Sequence, residues 1–355
     1  MLNRLAISLC VGACLCRGAE NSWNAKSAAA YLDKRAEWWI EWPKAARDHD
    51  TFCVSCHTAV PYALSRPPLR RAMGHTAAAE PERKLIATVG KRVRLWAEVQ
   101  PFYFSNQSAP NRSAESRGTE AVLNALILAF SDPPSVDLPV ALENMWAAQI
   151  ANGPNRGAFP WLDFHNRPWE ADDSQYYGSA LAAVVIGKLT PNRQSDPERR
   201  RIELLVDYLR RGFKSQSLVN KTVALWASAK LPGLVMADDK AELFRDLACA
   251  QRPDGGWSLT AIAGPWKRND GTSLETASDG YATGLVAYAL ALARVPRTEP
   301  TLAAGLRWLT QNQLAADGRW VAYSLNKDRD LNSDVGQFMS DAATAYAVLA
   351  LTAEE

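Results

Sequence analysis

A unit that recurs along the chain constrains its fold more than any other feature. "GLRWLTQNQLAADGRW" (305–320) carries Gln313, a glycine and Trp320. "DLACAQRPDGGW" repeats the pattern with Gln251, Gly255 and Trp257, and "MWAAQIANGPNRGAFPW" does so more loosely with Gln149, Gly157 and Phe159. Each copy closes a helical run and opens a glycine-rich loop. The spacing predicts that Gln bonds backbone freed at the helix end, the aromatic covers that end, and Gly allows the turn between.

After such loops come small-residue, apolar helices, starting at Glu115, Asp173, Ser217, Asp279 and Asp341. The starts are 58, 44, 62 and 62 residues apart, and a further step of 62 back from Glu115 reaches Cys53. Between them lie amphipathic segments at about 26–42, 81–99, 136–150, 198–212, 238–251 and 299–313, with charges on one face. Alternating outer and inner helices predict an all-α fold, an (α/α)6 toroid of about twelve helices forming one domain over 20–355.

The chain has 355 residues, 47% apolar and 22% charged, with a net charge of +2. That balance suits a globular protein and lacks the basic excess nucleic-acid binding needs. The clusters "ERRR" (198–201) and "KRVR" (91–94) read as solvated helix faces. Residues 1–19 form a weakly basic start and a short apolar run, which predicts an export signal and a periplasmic destination. Two cleavage readings stand: a lipoprotein box "VGAC" that would lipidate and anchor Cys14, or ordinary cleavage near Gly18 or Ala19. No later segment is long and apolar enough to span a membrane. Cys53, Cys56 and Cys249 then remain in the body, too few for a disulfide-stapled fold; Cys249 is expected to fill the core.

The repeats and the helices that follow them resemble the toroid of squalene–hopene cyclases, class II terpene cyclases and protein prenyltransferases. "WLTQNQLAADGRW" is the closest match to that family's QW motif, over a resemblance spanning roughly 110–355. The family's D-x-D-D acid motif, whose central acid protonates an alkene or epoxide, corresponds to Glu170, Asp172 and Asp173, with Asp172 in the acid's place. Glu replaces the first Asp, and Ser174 stands where the family usually has Thr. Helix capping by Asp172 and Asp173 is the competing reading. The prenyltransferase zinc pattern Asp-x-Cys is absent from the sequence. Glycoside processing would require two carboxylates across a groove, and no such pair stands out. Trp161, Trp169, Trp257, Trp266 and Trp320 fall in the loops, as helix-end packing or as a wall for an apolar ligand.

"TFCVSCHTAVPYAL" contains C-x-x-C-H, the spacing that attaches haem c. Cys53 and Cys56 would form thioethers and His57 would bind the iron, one helical turn setting all three against the porphyrin edge. A disulfide, thioredoxin-like chemistry and zinc are the alternatives; the last two lack a preceding strand and a fourth ligand. Candidates for the sixth iron ligand are His165, His49 and Met339 on the rim, and Met73 and His75 at the opposite end. The expected function is therefore haem-based redox chemistry or electron transfer to a partner protein, or oxidation of a small apolar molecule. The alternatives are a terpenoid cyclase relative and a non-catalytic binding module.

Overall fold

The computed structural model describes residues 23–189 and 195–353. The export segment expected at 1–19, Cys14 included, lies outside them. The outer helices are α1 (Ala25–Glu41), α3 (Glu80–Arg94), α5 (Leu138–Ala147), α7 (Asp196–Gly212), α9 (Ala237–Ala250) and α12 (Pro300–Gln311). The inner helices are α2 (Ala59–Ala72), α4 (Arg112–Phe130), α6 (Ser174–Lys188), α8 (Leu218–Ser228), α11 (Gly280–Leu292) and α13 (Phe338–Thr352). A short α10 (Leu259–Ala263), a 3-10 turn (Phe213–Ser215) and a two-stranded hairpin, β1 (Ala46–Arg47) with β2 (Thr51–Phe52), complete the described elements.

Each inner helix packs on the next, and α13 closes the ring against α2. The fold is the expected α/α toroid. Its two layers differ as their compositions require. In α11 every residue from Gly280 to Leu290 is buried, because an Ala-, Gly- and Leu-rich helix has no polar side to turn outward. By contrast α7 buries only Ile202, Leu205 and Leu209 along one stripe, and starts with a Ser195–Glu198 capping box. On α9 the buried positions are Leu243 and Leu247; Cys249 lies off that stripe and is exposed, contrary to the expectation of core packing.

The repeat is a staple between outer helices. Gln149 Nε2 donates to the carbonyls of Gly157 (3.1 Å) and Arg201 (2.9 Å). Gln251 does the same to Gly255 and Thr301, and Gln313 to Gly318 and Asn24. Trp257 and Trp320 donate their indole N–H to Leu247 and Leu309, carbonyls in the last turn of the preceding helix. Gly157 and Gly318 hold φ of 97° and 82°, and a Cβ on either would lie 2.0 and 2.4 Å from backbone of the next outer helix. In this chain the motif thus serves ring assembly.

The axis is filled. Trp169, Tyr281, Tyr346, Trp226 and Tyr288 form a column of edge-on contacts with centroids 5.4, 5.3, 6.4 and 5.3 Å apart. These rings pack along the centre, between the inner helices.

Candidate functional site at the rim

The N-terminal ends of the inner helices and their preceding loops form one rim. The C-x-x-C-H segment reaches it, but not on a helix. Trp39 Nε1 donates to the Cys53 carbonyl (2.7 Å), and the Cys53 N–H bonds Ala45, which keeps this stretch extended beyond β2. Ser55 Oγ then accepts from the N–H groups of Thr58 (3.2 Å) and Ala59 (3.0 Å). That capping starts α2 at Ala59, six residues after the expected Cys53. The single helical turn that was to set two sulfurs and an imidazole on one edge is not formed.

His57 has a different role in the rim. Its ring stacks on Phe338 (3.8 Å between centroids) and meets Trp39 edge-on at 5.0 Å. Nδ1 lies 2.8 Å from Thr58 Oγ1, whose hydroxyl donates to Asp341 at 2.7 Å. With that hydroxyl proton committed, Thr58 accepts from Nδ1–H, so the Nε2 lone pair is bare. Burial, helped by the Arg35 and Arg329 charges, lowers the imidazole pKa to about 3. It is neutral at physiological pH.

Glu170 lies in the loop 163–173, which is pinned from several sides. Its backbone exchanges bonds with Asn166 and accepts from Phe164. Asn326 clamps both backbone groups of Arg167, whose guanidinium reaches the Ala263 carbonyl. Trp161 donates to the Trp169 carbonyl, and Trp169 donates to Tyr281 at the head of the column. Burial raises the Glu170 carboxyl to about 7, opposed only by Arg112. Its charge also contributes to raising the groups of Cys53, Cys56 and Tyr103, though burial is the larger cause in each. Beside it Tyr103 and Phe164 meet edge-on at 4.9 Å, with the Arg112 guanidinium 4.0 Å from the Phe164 ring centre. Tyr103 and Phe104 are 37% and 56% exposed, so the rim offers an aromatic face to solvent.

The other expected residues separate into distinct roles. Asp172, placed as the acid by the motif, is exposed, whereas Asp173 is half-buried and lies 3.4 Å from Arg167. Asp173 makes no side-chain cap to α6; Asp279 and Ser217 do cap their helices. Asp341 caps nothing, being bound by Arg35, Tyr31 and Thr58. His49 sits in the hairpin turn against Asp48, and His165 is largely exposed near Asp163. Met339 is buried beside Phe338, while Met73 and His75 follow α2 at the far end. Among the described residues, no three His, Cys, Asp or Glu side chains converge as metal ligands. Of the loop tryptophans, Trp161, Trp257 and Trp320 are packing residues, Trp266 lies under Arg167, and Trp169 faces His57. Sequence reasoning missed Tyr103, Phe104 and Phe164; the aromatic run "PFYF" (101–104) was the available signal for the first two, and Phe164 had none.

No protein-family profile matches the chain, and no curated protein is similar to it in sequence. Similar solved structures include the unsaturated glucuronyl hydrolase of Bacillus sp. GL1, responsible for glycosaminoglycan degradation. That likeness has 10% identity and a TM-score of 0.53, covering 93% of this chain and 96% of the other. The GH76A alpha-1,6-mannanase of Salegentibacter sp. HEL1_6 is similar at 10% identity and a TM-score of 0.52, over 93% and 100%. These establish the α/α toroid. They also correct the resemblance to terpenoid cyclases, since the toroids this chain resembles carry sugar-processing names. The cyclase reading loses its physical basis as well: the repeats serve ring assembly, Asp172 is exposed, and the axis is full. Haem-based redox chemistry, cytochrome c character and electron transfer are corrected with it, on the same neighbours and on the unformed turn at Cys53–His57.

Proposed function

We propose that the protein is a carbohydrate-processing hydrolase whose site is the rim around Glu170. One observation carries this reading. Glu170 is a desolvated carboxyl raised to about 7, with no ion pair among the described residues, fixed by a pinned loop beside exposed aromatic rings. Such a group retains its proton near neutrality and can pass it to a glycosidic oxygen as the C–O bond breaks. Asp173, three residues on and paired with Arg167, is the carboxylate suited to take a proton from attacking water. Tyr103, Phe104 and Phe164 supply the apolar face on which a sugar ring stacks. The names of the two similar toroids agree with this chemistry, and the leader expected at 1–19 agrees with a substrate met outside the cytoplasm.

The test is sugar release from mannan, glycosaminoglycan oligosaccharides and plant polysaccharides by the wild type and by Glu170→Gln. Glu170→Gln should lose turnover of natural glycans yet retain it on a 2,4-dinitrophenyl glycoside, whose leaving group needs no proton. Equal turnover of natural glycans by both proteins, or none by the wild type, would remove the proposal.

A further inference from the structure

The far mouth of the toroid holds a cavity, at the opposite end of the inner helices from the rim. The C-terminal ends of all six inner helices line it, and it measures about 930 Å³. Arg71, Lys188, Lys230 and Arg294 border it, with Asp132 the single carboxylate. Asp132 is already engaged by Arg70 and Arg71. The side chains of Lys188, Lys230 and Arg294 form no ion pair or hydrogen bond with any described residue; Lys188 rests over the Phe130 ring at 5.2 Å. Helix C-termini attract cations in general. Here, though, the cations converge on one recess instead of dispersing over outer faces.

The floor is apolar, built from Phe130, Leu292, Leu349 and the ring of Tyr288. Tyr288 is 7% exposed, lines the cavity, and has no hydrogen-bond partner for its hydroxyl among the described residues. The hydroxyl keeps access to the cavity and can donate to an occupant there. From the unpaired cations, the apolar floor and this hydroxyl, we infer that the far mouth binds a small organic anion, a carboxylate with an apolar body. The carboxylate meets Lys188, Lys230 and Arg294, accepts from Tyr288, and the body lies on the floor. This site is independent of the rim chemistry.

Decanoate is the probe, titrated calorimetrically into the intact protein. Saturable binding should weaken about tenfold or more in Lys188→Glu/Lys230→Glu and several-fold in Tyr288→Phe, with decanol and inorganic phosphate each binding far more weakly. If the charge-reversed protein fails to fold by circular dichroism, Lys188→Gln and Lys230→Gln singly should each weaken binding. Unchanged affinity in these folded variants overturns the inference, as does decanol binding equal to decanoate, or phosphate alone binding as tightly. Sedimentation with phosphatidylglycerol vesicles in preference to free decanoate overturns it in favour of a lipid surface.

Discussion

Arg35 Nε donates to Asp341 Oδ1 at 2.7 Å, with both side chains almost wholly buried. The pair joins the first outer helix to the last inner one, and Asp341 carries the Thr58 hydroxyl that orients His57. Burial raises the Asp341 carboxyl while Arg35, Thr58 and Tyr31 oppose the rise. Arg35→Met should destabilise the fold by about 3–5 kcal/mol, because an unpaired carboxylate would remain in a dry site. Urea unfolding monitored by circular dichroism measures this; a loss below 1 kcal/mol would mean that the pair does not hold the ring shut.

Glu170 ties activity and stability to the same pH window. Its folded pKa of about 7 lies above its ordinary 4.5, so the folded state holds the proton more tightly. Stability from this group is complete below 4.5, declines as pH rises towards 7, and is lost above it. Glu170→Gln should therefore gain about 1–3 kcal/mol over the wild type between pH 5 and pH 8. Hydrolysis should fall as pH climbs through about 7, since the donor must be protonated. A flat difference in melting temperature across that range would contradict the assignment.

The Gln staple should be separable from the glycine turn. Gln313 makes three bonds, two of them to the Asn24 backbone, and Gln313→Ala should cost about 1–3 kcal/mol. Gly318→Ala should cost more, about 2–4 kcal/mol, since it adds a Cβ at positive φ against the Ser27 backbone. Paired denaturant titrations give both values. A Gly318→Ala protein as stable as the wild type would show that α1 can move away from the turn.

The thiols differ by environment. Cys249 is exposed, whereas burial pushes the Cys53 thiol up to about 12 and the Cys56 thiol up as well. Iodoacetamide at pH 8 should therefore label Cys249 first, the half-buried Cys56 more slowly, and Cys53 only after unfolding. Peptide mass spectrometry reads the order. Labelling of Cys53 in the folded protein as fast as Cys249 contradicts its burial, and thioethers at Cys53 and Cys56 would leave neither available at any stage.

The ring was legible because its signals are local and repeated. Period and composition separate charged α7 from apolar α11, and Gln-to-aromatic spacing marks the joints. Function was hidden by the same signals. Gln313 and Trp320 look diagnostic of a chemistry, yet they hold helix ends together. The C-x-x-C-H spacing was visible, but Ser55 within it delays the helix, and that contest between side chain and backbone is settled only by tertiary contacts such as Trp39 on Cys53. Glu170 and Asp172 are indistinguishable as letters two positions apart. Only burial separates a raised carboxyl from a solvated one.

The edge-on rings from Trp169 to Tyr288 run from the rim loop to the wall of the far cavity, linking the two ends of the toroid through side-chain contacts. A substitution in that column, such as at Tyr281 or Tyr346, would therefore be felt at both ends, because the same six inner helices frame each of them.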